Sequence, residues 1–551
     1  MISNKLLLSA LRWSVVCWVV VFWRLGYVGL IDDGAHYAQL TREMLRDHSW
    51  FVPLLDGAPF IDKPVLFHWA QGLAIRFLGE QEAAVRLPSA VAAVGLFAFT
   101  RWTGVRLFDP TIGERGWLML ATIPATFVLG RIAYLDMVFT MFTFGGMACL
   151  LVASLRNRPR LQYVGYALLA LAVMTKGPIA IVLAAVFLGL GWAAGGESRR
   201  AVSLLSWRTG LLGTMVVASP WFVWMYWQFG DEFVRGYVLA GHLSYLSPRA
   251  SASSRTHTFY LRMFFTAFFP WSLVTLGYAV DTCRRRLGGV APAADEMLLW
   301  AWTIAVIAVF TLAQFRVDRY IFPAAPACCL LAARAWVAAK SDVGWREYPA
   351  TRIAIFALAL FFVLLAAALA VSLPGLALNI PKAAFLLPAS LALGGVAMVV
   401  TMLRNDLRPP TVLRIPIGMM VVVYGLIVTM GFPLIEEGRP VKEVGRWLRA
   451  ESVAGDSVGL YGPRLRRWEP ALRYYATRPV RRLDDENDAR AFLASSGNNW
   501  VVMRKERYDE LAAAGVPGQI AHTVPAIVGT SGRGLRRQIW SDIVVVRKVP
   551  E

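Results

Sequence analysis

The sequence predicts a polytopic α-helical membrane protein of about thirteen transmembrane helices with a small C-terminal α/β domain. Three observations predict it. Of 551 residues, 57% are hydrophobic, and mean hydropathy is +0.52, well above an ordinary soluble domain. Apolar stretches recur from residue 6 to residue 432, most near the roughly 20 residues that a spanning helix needs. Beyond residue 432 the pattern changes to short apolar runs separated by helix-like segments.

Basic clusters in short loops mark the cytoplasmic side of a membrane protein. Arg156-Asn157-Arg158-Pro159-Arg160, Arg199-Arg200, Arg284-Arg285-Arg286 and Arg404 to Arg408 serve as anchors. The first apolar run, Leu6 to Ile31, supplies a span at 8–31 and no small-residue cleavage site, so it reads as a retained helix. Spans then follow at 86–106, 116–131, 133–155, 161–175, 178–195 and 209–228, and at 259–282, 296–314, 319–338, 353–374, 383–403 and 411–432. The third and fifth are short enough to be tilted or partly re-entrant. This threading puts all four clusters and the N-terminus inside. It puts outside the 32–85 loop, the turns near Asp136 and Lys176, the 229–258 loop and the tail. Residues 1–432 thus form the membrane domain and 433–551 the outside α/β domain.

Within the tail, Ser457 to Tyr461, Trp500 to Met503 and Ile543 to Val546 read as strands, and Val441 to Ala450 and Ala489 to Ser495 as helices. In the 32–85 loop, Ala35 to Arg46 and Pro64 to Leu78 read as short amphipathic helices, with Trp69 suited to the interface.

The net charge is +20. Much of it sits in short loops, where it serves topology and anionic lipid contact rather than nucleic acid. The five cysteines, Cys17, Cys149, Cys283, Cys328 and Cys329, lie in or beside spans. They make no disulfide framework and no spaced zinc set.

The polar features of the outside face carry the candidate chemistry. Asp32 and Asp33 open the first outside loop. Either suits a helix cap, and Asp33 is equally a candidate catalytic carboxylate. Asp136 interrupts strongly apolar sequence, where acids are expensive and usually functional or paired; Arg131 is one available partner. Lys176, in Thr175-Lys176-Gly177-Pro178, sits between two spans, as a snorkelling lysine or as a compact charge for a phosphate. Lys63 stands beside Asp62 and Pro64. Arg316, Asp318, Arg319 and Tyr320 make a polar patch at the start of a later span. Two lysines and two arginines on one acidic face point to an anion cavity suited to a lipid-linked phosphate. Arg249 and Arg255 are further candidates to grip that phosphate. His242 and His257 offer, with Asp62, ligands for a divalent cation such as zinc, magnesium or manganese.

These motifs resemble the lipid-linked-sugar glycosyltransferases of the GT-C type, within them the bacterial aminoarabinose (lipid A) transferase and protein-mannosyltransferase-like superfamily. Asp33 with Tyr37-Ala38 and Arg42-Glu43-Met44 resembles the acidic loop motif. Asp62-Lys63-Pro64 with His68-Trp69 resembles a Glu-Lys-Pro…Tyr-Trp pattern. Asp136-Met137, Thr175-Lys176-Gly177-Pro178, Phe269-Pro270-Trp271 and Tyr320-Ile321-Phe322-Pro323 extend the match. There are departures. Gly34 and His36 replace the usual Glu and Arg of the first motif, Asp62 replaces Glu, and Tyr245 stands where an Arg often follows the loop histidine.

The resemblance implies a bacterial inner-membrane enzyme whose active site faces the periplasm, with the C-terminal domain also periplasmic. It implies an undecaprenyl (polyprenyl) phosphate sugar as donor and lipid A or another envelope molecule as acceptor. The best-matching transfer is of 4-amino-4-deoxy-L-arabinose type to lipid A; protein O-mannosyl or other envelope-glycan transfer is the alternative. Asp33 would orient or deprotonate the acceptor, Asp136 would help position Asp33 or the lysines, and Lys63, Lys176, Arg319 and Tyr320 would meet the departing phosphate. A flippase fits the many spans as well, yet the polar groups gather at one face rather than at the midplane.

Overall fold

The long apolar runs fold as helices because every backbone N–H and C=O must find an internal partner in lipid. In the computed structural model, the described residues are 2–241, 256, 258–313, 315–339, 347–375, 382–404, 409–495, 497–516, 518–531 and 537–548. Among them, seven helices are long and apolar enough to cross a membrane, or up to nine if each of two bent pairs is one span. Three shorter apolar helices, Leu7–Phe22, Leu161–Lys176 and Ile179–Ala193, accompany them. Large apolar side chains such as Leu212, Leu364 and Leu393 are exposed along these helices, as a surface facing acyl chains requires.

Three expected spans differ from single straight helices. The first ends at Phe22; Trp23 turns extended and Arg24 takes a positive φ of 55°. The apolar residues after it form a buried connector, with Leu30 only 1% exposed. The 116–131 stretch divides into Pro110–Ala121 and Pro124–Leu129, because Pro124 lacks an N–H and starts a new helix. The 259–282 stretch divides into Phe259–Ala267 and Trp271–Leu287, bent by 116°, with Pro270 at the break.

Glycines set the packing that matters most. Leu135–Leu155 and Leu161–Lys176 form an antiparallel hairpin. A Cβ on Gly146 would lie 2.9 Å from the Gly165 carbonyl, and one on Gly165 would lie 2.9 Å from that of Gly146. Only backbones without side chains approach so closely. Asp136 precedes this crossing and Lys176 follows it by about the same rise, roughly 15 Å of helix. The crossing therefore delivers the two charges to one level.

The 32–85 loop folds as two helices, Asp32–Arg46 and Leu66–Leu78, and a short hairpin of β1 (Leu54–Leu55) and β2 (Ala58–Pro59). The C-terminal part holds a five-stranded sheet of β3 (Ser457–Tyr461), β4 (Val480–Leu483), β5 (Asn499–Arg504), β6 (Gln519–Ser531) and β7 (Arg537–Arg547), in the order β4-β3-β5-β7-β6. β3 pairs in parallel with β4 and β5, and β7 antiparallel with β5 and β6. Helices Glu469–Ala476 and Glu486–Ala494 make the crossovers of the parallel part.

This C-terminal part clamps the loop helix. Leu30, Ala35, Ala38 and Val85 share a core with Val444, Leu472 and Tyr475. The Tyr475 hydroxyl accepts from Leu30 N at 2.7 Å. Arg42 donates to the Tyr474 carbonyl at 2.6 Å and lies 3.7 Å from the centre of that ring.

Candidate active site

Four charged side chains from four separate segments meet in one unbroken chain. Arg319 Nη2 donates to Asp33 Oδ2 at 2.6 Å, and Arg319 Nε donates to Asp136 Oδ2 at 2.9 Å. The second Asp136 oxygen, Oδ1, accepts from Lys176 Nζ. Asp136 and Lys176 are buried, whereas the Asp33 side chain is 49% exposed. The exposed end of the relay is therefore the acid of the 32–85 loop.

Local geometry explains how each side chain arrives. Asp33 lies in the first turn of Asp32–Arg46, where the helix dipole favours an anion. It does not cap that helix: Ile31 holds the N-cap position and no side chain bonds there. Asp136 opens Leu135–Leu155. Lys176 closes its helix, and Gly177 with φ 87° turns the chain away. Arg319 and Tyr320 ride on the short 3-10 segment Asp318–Ala324, entered from extended Val317. Asp318 accepts from Arg319 N at 2.9 Å.

Arg131 is not the partner of Asp136. It donates to the carbonyls of Val19, Val20 and Trp23, at 2.6, 2.7 and 2.8 Å. These are the carbonyls freed where the first helix stops, so Arg131 caps that helix.

Aromatic rings floor the cluster. The Lys176 ammonium lies 4.2 Å from the Tyr320 ring centre, and the Arg319 guanidinium 4.8 Å from that of Tyr134. Tyr134 also packs on Gly34, where an added Cβ would sit 3.3 Å from the ring. Glycine at this place lets helix Asp32–Arg46 lie close to the Tyr134 turn. Burial, then the nearby Asp33 carboxylate, push the Tyr134 hydroxyl above its ordinary range. Burial holds the His36 imidazole below 6.5, against the opposing pull of Asp33.

Lys63 pairs with its neighbour Asp62, Nζ to Oδ2 at 2.9 Å, and is within electrostatic reach of Lys176. Asp62 borders a cavity of about 610 Å³ that also includes Asp231, Glu232 and Arg235. Among the described residues no three His, Cys, Asp or Glu side chains gather as a cation site. His242, His257, Arg249, Arg255 and Tyr245 lie outside the described residues.

A cavity of about 790 Å³ opens beside the relay, lined by Asp32, Tyr134, Arg316, Arg319 and Arg467 and walled by apolar residues such as Val128 and Met263. Burial raises the Asp32 carboxyl, and the Arg467 guanidinium opposes that shift. Tyr134, Arg467 and Arg439 are the neighbours that sequence reasoning missed. Tyr134 stands two residues before Asp136, and its position between Gly130 and Asp136 is the available signal. Arg467 comes from the C-terminal part, and no local pattern ties it to Asp32.

A second polar group lies just behind. Thr41 Oγ1 donates to Gln71 Oε1 and contacts His68 Nδ1, both at 2.8 Å, joining the two loop helices. His68 is fully buried, and burial holds it neutral down to about 3.

Comparison with known proteins bears on the fold. Residues 62–224 match the family described as dolichyl-phosphate-mannose-protein mannosyltransferase. The undecaprenyl phosphate-α-4-amino-4-deoxy-L-arabinose arabinosyl transferase of Edwardsiella ictaluri is 26% identical over 307 residues, 54% of each chain. A like-named transferase of Pseudomonas fluorescens is 26% identical over 310 residues, 55% of this chain and 52% of its own. The chain spans about half the length of the curated relatives it matches. The crystal structure of ArnT from Cupriavidus metallidurans bound to undecaprenyl phosphate superimposes with a TM-score of 0.72 at 19% identity, covering 100% of this chain and 99% of that one. The Archaeoglobus fulgidus oligosaccharyltransferase superimposes with a TM-score of 0.51 at 12% identity, covering 91% and 69%. The chain is therefore a multi-pass membrane protein of the GT-C fold, with aminoarabinose arabinosyl transferases among its relatives and a mannosyltransferase family match over residues 62–224.

Proposed function

We propose that this protein moves a sugar from an undecaprenyl-phosphate donor to an envelope acceptor at the outer face of the inner membrane, with 4-amino-4-deoxy-L-arabinose transfer to lipid A as the best-supported case. The observation that carries this reading is the Asp33–Arg319–Asp136–Lys176 relay at the mouth of a cavity with an apolar wall. The relatives' names supply the donor and the sugar.

In this reading the acceptor oxygen attacks the anomeric carbon, the sugar–phosphate bond breaks, and undecaprenyl phosphate leaves with the bonding pair. Charge grows on the leaving phosphate. Lys176 has three N–H donors and spends one on Asp136; Arg319 has five and spends one on each acid. The unspent donors meet the phosphate, in a site dry enough for them to count. Asp136 holds both cations in place, and Lys63 adds a further charge. Asp33 is the half-exposed group, so it faces the acceptor. A phosphate acceptor is already ionised and needs orientation only, while a hydroxyl needs Asp33 as base. The family match over residues 62–224 favours the second kind of acceptor, a protein or glycan hydroxyl, as the alternative reading.

The test is transfer by purified protein in detergent from synthetic undecaprenyl-phosphate aminoarabinose to lipid A, with no nucleotide or ion gradient, followed by mass spectrometry. Product is expected with the natural chain and is expected to fall by roughly tenfold to a hundredfold with Asp33→Asn, the scale of a misplaced reacting group. Lipid translocation in liposomes without product from any lipid A, peptide or glycan acceptor would replace this reading with a flippase.

A further inference from the structure

Two helices that carry relay residues, and a third packed beside them, have their other ends together. Glu82–Leu107, Leu135–Leu155 and Leu161–Lys176 each run from the relay side to a basic cavity of about 1230 Å³. The Leu135–Leu155 helix alone spans about 30 Å by its rise per residue, the thickness of a hydrocarbon core. The cavity therefore opens at the opposite membrane face from Asp136.

Its lining combines charge and grease. Arg101 is paired with Glu114 at 2.5 Å, and Arg156 is engaged by the Arg106 and Leu107 carbonyls and Asp295. Arg106, Arg158 and Arg160 are exposed, and among the described residues none of their guanidinium groups has an ion-pair or hydrogen-bond partner. The same cavity is lined by Trp102, Val105 and the exposed Val164. Topology alone asks for basic residues at this face, but it does not ask for a walled cavity that gathers three unpaired guanidinium groups beside an apolar strip.

We propose that this cavity is a binding site for an anionic glycerophospholipid of the leaflet opposite the relay. The phosphodiester is held by Arg106, Arg158 and Arg160, and an acyl chain lies along Trp102, Val105 and Val164. Guanidinium forks match phosphate oxygens, and basic pockets between membrane helices at the cytoplasmic side suit such headgroups. The shared chemistry is that of any phosphate; the apolar strip selects the lipid.

The experiment is native mass spectrometry of the full chain in detergent, with phosphatidylglycerol or phosphatidylcholine added. The natural chain is expected to retain phosphatidylglycerol over phosphatidylcholine. The Arg106→Ala/Arg158→Ala/Arg160→Ala variant is expected to bind phosphatidylglycerol roughly tenfold to a hundredfold more weakly. Val164→Glu keeps all three arginines, puts a carboxylate on the apolar wall, and is expected to lose the lipid as well. Unchanged phosphatidylglycerol binding in either variant, or equal retention of phosphatidylcholine by the natural chain, would overturn the site. Displacement of the lipid by equimolar inorganic phosphate would assign the arginines to free phosphate and overturn the lipid occupant.

Discussion

Arg319 bridges Asp33 and Asp136 with two different nitrogens, Nη2 to the first at 2.6 Å and Nε to the second at 2.9 Å. One planar group thus ties the half-exposed acid of the 32–85 loop to the buried acid that opens Leu135–Leu155. The link joins a loop helix to a hairpin of membrane helices, so the position of Asp33 depends on residues far away in sequence.

A lysine cannot make this bridge, because its single ammonium has no rigid fork to reach both acids in fixed directions. Arg319→Lys is expected to keep the protein folded and to lower kcat by roughly tenfold to a hundredfold, the scale set by small misplacement of a reacting group. Steady-state transfer kinetics, with gel filtration as the fold control, check this. Near-normal kcat would remove Arg319 from positioning Asp33.

Asp136 compensates two cations while buried. Asp136→Asn leaves Lys176 without its carboxylate and Arg319 with Asp33 alone, and is expected to destabilise the protein by roughly 3–5 kcal/mol, as broken buried ion pairs do. Adding Lys176→Met removes the orphaned ammonium and is expected to restore much of the stability while transfer stays lost. Thermal unfolding in detergent beside the transfer assay separates the two effects. Restored transfer in the double variant would contradict the role given to Lys176.

His68 sets a pH dependence of stability. Its folded-state value lies near 3, against an ordinary 6.5, because burial opposes the charged ring. Above 6.5 neither state binds the proton, so pH has no effect through this group. Below it the unfolded chain takes up a proton that the folded chain refuses, and stability falls as pH drops from 6.5 towards about 3. The slope contributed approaches about 1.4 kcal/mol per pH unit. His68→Gln is expected to flatten the denaturation midpoint over that window relative to the natural chain. An unchanged difference between pH 7 and pH 4.5 would place the ring elsewhere.

The orientation has its own test. Cys283 is the exposed cysteine; the other four are buried. In a Cys283→Ser background, Asn498→Cys in the C-terminal part is expected to react with a membrane-impermeant maleimide in intact spheroplasts. Glu197→Cys, in a short basic segment, is expected to react only after permeabilisation. The reverse pattern would turn the relay to the cytoplasm. Both positions are exposed, so burial does not confuse the readout.

The sequence by itself determined the membrane class, the helical content and the identity of the acids and cations that gather on one face. Apolar runs of spanning length and basic short loops are local signals, and Asp136 and Lys176 stood out because charge in apolar sequence is costly. Strands β3, β5 and β7 were legible as apolar runs. β4 was not, because in Val480–Leu483 the two middle residues are exposed arginines, and β6 was not, because its residues take their partners from β7. Only the tertiary structure decided who pairs with whom. Arg131 looked like the partner of Asp136 by proximity in sequence, but the interrupted first helix claims it through three open carbonyls. Arg319 lies 183 residues from Asp136 and 286 from Asp33, and Arg467 reaches Asp32 from the C-terminal part. Ion pairing depends on distance in space, and that distance is set by backbone contacts such as the Gly146–Gly165 crossing, which no pattern of charges along the chain encodes.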